Sequence, residues 1–273
     1  MEKIKRFLIN NKIALIVGIF ISIGVFTNEA KDYTDENNQL KIEISNIETE
    51  IEAKNKEIID KSAPELQQEI DTAKAEIERL SSENSTFTKE KNELNEQYKA
   101  KQKDQKQNRL NQLLGKIKID YDAVEKTAWV YRAGNPQYVN VNDMGMYLGV
   151  KDNNVWPRLK IRYTADEWLF IDKYKIVADS KEFNIYPSKV ERDNDHRIWE
   201  WYDWYPSDSD LRMIETISNS GNVIVRHIGS HYNKDRTISD AEKTGMKNIL
   251  ELYNLLKESN IKVENGQIIA TIK

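Results

Sequence analysis

The sequence predicts an α+β C-terminal domain on a long α-helical coiled coil, preceded by one N-terminal transmembrane helix. Three observations predict it: an apolar run behind a basic start, a sustained 3.5-residue apolar period, and a late change to short alternating runs rich in tryptophan. The totals suit such a division. The 273 residues are 39% apolar and 32% charged, a low apolar share for a single globule. The absence of cysteine excludes disulfides, a thiol nucleophile and cysteine-ligated metals. A formal charge of −4 sets up no global field for nucleic acid, and none is expected as a partner.

Residues 1–12 form a basic start, with Lys3, Lys5, Arg6 and Lys12. The stretch 13–27 follows, and from Ile13 to Phe26 nothing is more polar than Ser22. The run is short for a bilayer crossing, but Lys12 can snorkel toward headgroups. Glu29, Asp32, Asp35 and Glu36 lie beyond it. The positive-inside rule reads this as a signal anchor with the bilayer as partner. The protein is then a single-pass cell-membrane protein, its N-terminus cytoplasmic and its C-terminal domain extracytoplasmic. A cleaved signal peptide is the competing reading, against which Asn28-x-Ala30 makes a poor cleavage site.

Residues 33–115 read as a coiled-coil stalk with a break near 62–64. Leu40, Ile44, Ile47 and Ile51 step by 4, 3 and 4, and Ile58 resumes the seam. From Leu66 through Ile70, Ala73, Ile77, Leu80, Asn84, Phe87, Lys91, Leu94 and Tyr98 the steps alternate 4 and 3. That period is the coiled-coil signature, and so narrow a stripe needs partner helices. Self-association is therefore expected. Ser62, Pro64 and Glu65 form a helix-start signal at the break. With no glycine-rich turn there, a rod or kink is favoured over a hairpin. The basic tail 99–118 reads as a solvated helix extension capped near Gly115, with contact to an anionic polymer as the alternative.

Residues 119–273 read as the α+β domain. All six tryptophans fall between Trp129 and Trp204. "TAWVYR", "MYLGV", "RLKIRY", "EWLFIDKYKIV", "EFNIY", "RIWEWYDWY" and "NVIVRHI" are predicted strands. Leu159, Ile161 and Tyr163 share one face, with Lys160 and Arg162 on the other. Ser207 or Asp208 caps one helix, and Ser239 with Glu242 opens the last one. Asn265-Gly266 is the turn of a terminal hairpin.

Candidate sites follow from residue types. His227, His231 and Asp235 are the one possible zinc set, but four residues on a strand separate the histidines by about 13 Å. "ERDND" and "SDSD" resemble calcium loops without the glycine and closing glutamate of an EF-hand. Glu191, Asp193, Asp195, Glu200 and Asp203 are near enough in sequence for a carboxylate hydrolase. No metal or cofactor is assigned. Alternation puts Trp199 and Trp201 on one face of a strand and Ile198, Glu200 and Tyr202 on the other. Trp199, Trp201 and Tyr205 are the candidate partner surface.

"VERDNDHRIWEWYDW", with "LKIRYTADEWLFIDKYKI" upstream, resembles an uncharacterised C-terminal domain of Gram-positive bacterial and prophage-type membrane-anchored proteins. The likeness spans about residues 119–259 and implies a portable module; that family brings no activity and no site residues. The expected function is non-enzymatic. The stalk presents a binding module to a protein or a cell-wall polymer, with avidity from oligomerisation. Two alternatives stand beside it: a membrane scaffold of phage exclusion or defence with its domain in the cytoplasm, and a cell-wall hydrolase.

Overall fold

The computed structural model describes residues 34–61 and 64–273. The contacts of the described chain fall into two compact units, divided at Lys101.

In the first unit the 4–3 apolar period produces two helices, α1 (Thr34–Lys61) and α2 (Pro64–Leu114). They run antiparallel. Asn37 Nδ2 donates to Thr88 Oγ1 at 3.4 Å, Lys91 Nζ to Thr34 Oγ1 at 2.7 Å, and Lys54 pairs with Glu69. That register sets Leu40 level with Asn84, Ile44 with Leu80 and Ile51 with Ala73. Leu40, Ile51, Ile70 and Leu80 are buried.

This overturns the expected coiled-coil stalk. From Leu40 to Leu80 the buried seam residues pack within the chain, between two antiparallel helices. The expected transmembrane helix, 13–27, lies outside the described residues. Among the described residues, no helix is long and apolar enough to cross a membrane. That finding stands against the expected single-pass anchor and cell-membrane placement, and against the fold class of a transmembrane helix followed by a coiled coil.

The second unit holds twelve strands and the helices α3 (Asp208–Asn219) and α4 (Asp240–Lys257), together with the end of α2. The main sheet is antiparallel, in the order β1 (Ile117–Asp122), β2 (Thr127–Arg132), β3 (Asp143–Lys151), β4 (Asn154–Ala165), β8 (Ile198–Trp204), β7 (Glu191–Asn194). A second sheet runs β10 (Asn233–Thr237), β9 (Val223–Gly229), β5 (Ile171–Ala178), β6 (Lys181–Ile185). The terminal hairpin is β11 (Ser259–Glu264) and β12 (Gln267–Ile272), turned at Asn265 (φ 51°) and Gly266 (φ 75°). Two positive φ values are what a tight hairpin turn requires.

One apolar core lies against one face of the main sheet. Val130, Met144, Met146, Leu148, Leu159 and Ile161 supply the sheet side, and Met246, Ile249, Leu252 and Leu256 the α4 side. Both helices start as their sequences dictate: Ser207 with Asp210, and Ser239 with Glu242, form capping boxes. The last turns of α2 join this core through Leu110 and Leu113. Arg109 forks onto Glu251 at 2.7 and 2.6 Å, and Gln107 bonds the β12 backbone at Ala270 and Ile272.

Candidate functional site

β8 decides which side chains reach the outside. Ile198 and Glu200 are buried, and Tyr202 and Trp204, stacked at 4.7 Å, pack against the core. By strand alternation Trp199, Trp201 and Asp203 take the opposite face, away from α4. Antiparallel register extends that face across the sheet. Trp201 lies level with Arg162 and Asp203 with Lys160. Arg158 lies level with Tyr147, Trp156 with Gly149, and Gly149 with Trp129. Trp199 lies level with Asp193 and Trp201 with Glu191, so both continue the face toward the β7 edge.

Two features organise the middle of this face. The first is an aromatic cluster. The Tyr131 ring stacks on Tyr147 at 5.2 Å and 18°; Trp129 tilts against Tyr147 at 5.8 Å and meets Trp156 edge-on at 5.9 Å. Gly149 makes this possible, because the Trp156 indole occupies the space a Cβ there would take.

The second is an ion network on Asp203. Its Oδ1 accepts from Arg158 Nε at 2.9 Å and NH2 at 2.7 Å. Its Oδ2 accepts from the Tyr147 hydroxyl at 2.7 Å and lies 2.9 Å from Lys160 Nζ. The Arg158 guanidinium sits 4.0 Å over the Tyr205 ring, which is 66% exposed. Burial raises the Tyr147 phenol well above its ordinary pKa, and the Asp203 carboxylate adds to the shift. Tyr147 is therefore a fixed donor. Burial works against the Arg158 charge, but its Asp203 bonds more than offset this and raise its pKa. Two cations thus share one carboxylate, and the network carries one positive charge in excess.

The carboxylates expected for hydrolysis do not converge. Glu200 is 0% exposed, on the core face. It accepts from the N–H groups of Leu169, Phe170 and Ile171 at 2.8–2.9 Å and from Arg192 Nε at 2.9 Å. Asp203 is on the other face. Between them they hold structural bonds and no shared opening for water. Residues 167–170, the start of an expected strand, instead form a bend ahead of β5, in which Phe170 has φ 52°. Such a φ is costly for a bulky residue, and the three N–H groups gathered on Glu200 hold it. The exposed Phe170 ring stacks on Trp168 at 5.7 Å.

The zinc set is not assembled either. His227 is buried between the Tyr163 and Tyr174 rings at 5.2 and 5.5 Å. Asp235, paired with Arg226 across the strands, lies on the other face of the β9–β10 hairpin and is held by that arginine at 2.7 Å. His231 is exposed in the connecting loop. Burial, with the Arg236 charge assisting, lowers the His227 pKa to about 4. In "ERDND", Glu191–Asn194 is strand β7, and "SDSD" is the cap of α3.

The partner-surface residues Trp199 and Trp201, both part-buried, thus lie on the outer face, and the exposed Tyr205 lies at its end. The cluster of Trp129, Tyr131, Tyr147 and Trp156 with Arg158 and Lys160 was missed from sequence. One signal for it is legible in hindsight: aromatic and cationic residues alternate along 156–162, opposite Leu159 and Ile161. Comparison with family models, curated proteins and solved structures finds no match for the chain.

Proposed function

We propose that residues 119–273 are a non-enzymatic binding module, and that its ligand, a protein or a cell-wall polymer, meets the outer face of the main sheet. The observation that carries this reading is the half-buried network of Arg158, Lys160, Tyr147 and Asp203 set beside the aromatic cluster. A face serving only to cover a core does not need it. Taking three charges partly out of water costs free energy that an apolar strand pair avoids. Trp, Tyr and Arg are also the side chains that carry most binding energy at recognition surfaces. Trp199, Trp201 and Tyr205 enlarge the surface at one side.

The test is site-directed photocrosslinking in cells, with a photoreactive residue at Trp201 and, as control, at Val124, which is 89% exposed in the β1–β2 turn. A discrete adduct from position 201 and none from 124 is expected. Equal labelling from both positions, or none from 201, refutes the reading.

A further inference from the structure

We infer that the ligand of this face is an acidic glycan, a chain of sugar rings bearing carboxylates. The inference rests on the binding-module reading above and adds the chemistry of the occupant. Asp203 has both oxygens engaged: Arg158 takes one, and Tyr147 and Lys160 the other. The cations are not used up. Arg158 NH1 and the remaining Lys160 protons are free of Asp203, and both side chains keep 17–19% of their surface open. One unit of positive charge is therefore unneutralised, and guanidinium and ammonium donors are the groups that take carboxylates.

Beside them the rings of Trp129 and Tyr131 offer apolar, planar surface that accepts the flat face of a pyranose, while fixed polar groups set its orientation. From β2 to β8 the strip crosses three strand spacings, roughly 14 Å. That is longer than one sugar ring, so an oligomer is expected. A neutral sugar would use the rings and leave the excess charge unmatched. An acidic peptide would match the charge and make no use of the flat rings. Charge and ring chemistry together select the acidic glycan.

The full chain is titrated with oligogalacturonate, with neutral cello-oligosaccharide of equal length, and with polyglutamate. Tryptophan fluorescence and calorimetry are the readouts. Saturable binding of oligogalacturonate is expected, with both other probes about tenfold weaker or more. Lys160→Gln should weaken oligogalacturonate about tenfold and leave the weak cello-oligosaccharide signal unchanged, with thermal melting as the control for folding. Trp129→Ala should weaken both sugars. Equal affinity for the two sugars, tighter binding of polyglutamate, or an indifferent Lys160→Gln variant overturns the glycan inference. In those cases an adduct from position 201 still supports the binding face. If no probe binds and position 201 gives no adduct, both fall together.

Discussion

Glu200 and Arg192 meet at 2.9 Å inside the second unit, carboxylate to Nε, although Arg192 begins and Glu200 sits midway through one short charged and aromatic stretch. The pair joins β7 to β8, and Arg192 NH2 reaches on to the Ile171 carbonyl at 3.0 Å. The acid closest to a catalytic assignment is thus a structural anion. Glu200→Gln should lower stability by about 3 kcal/mol, since an uncharged amide replaces a buried acceptor of four bonds. Urea unfolding of this variant beside Glu191→Gln, a surface control, checks it. Equal midpoints would refute the assignment.

Phe170 tests the same turn from the other end. Its left-handed backbone costs roughly 1–2 kcal/mol for a side chain with a Cβ. Phe170→Gly should leave stability unchanged or raise it slightly, despite loss of a large ring. A loss above about 2 kcal/mol would mean that the Trp168 contact outweighs the strain.

His227 sets a pH dependence with a definite sign. Its folded pKa is about 4, below the ordinary 6.5, so the unfolded chain binds the extra proton between those values. Stability from this group is full above pH 6.5 and is lost as pH falls toward 4, by roughly 3 kcal/mol at most. His227→Gln should flatten that slope. Denaturation midpoints at pH 7.5, 6 and 4.5 measure it.

The helical hairpin can be tested by covalent trapping. The chain has no cysteine, so Asn37→Cys with Thr88→Cys introduces a single pair. Under oxidation an intramolecular disulfide should form in the monomer, independent of protein concentration. Crosslinked dimers alone would instead indicate pairing between chains.

Local features were legible in the sequence because their causes are local. Ser207 and Ser239 cap helices, Asn265-Gly266 turns a hairpin, and alternation places Trp199 and Trp201 opposite Glu200. The hairpin departs from the expected stalk because a 4–3 period records that a helix needs a partner and not which chain provides it. Ile44 meets the same apolar stripe whether that stripe belongs to its own chain or another. The bend at 167–170 reads as strand because its apolar residues resemble one; what bends it is the Glu200 carboxylate, about thirty positions away. The central cluster stayed hidden for a similar reason. Trp129, Tyr147, Arg158 and Asp203 come from four strands, and only the direct pairing of β4 with β8, with three strands between them in the chain, brings Asp203 to Arg158.

The alternation along β8 divides its residues between two environments. Ile198, Glu200 and Tyr202 answer to the interior, where a substitution changes whether the chain folds. Trp199, Trp201 and Asp203 lie on the outer face, where a ligand of the proposed module would meet them. Exchanging the odd-numbered residues should therefore change that face while the even-numbered ones hold the strand in register. Fold and specificity are written in alternate letters of the same seven-residue word.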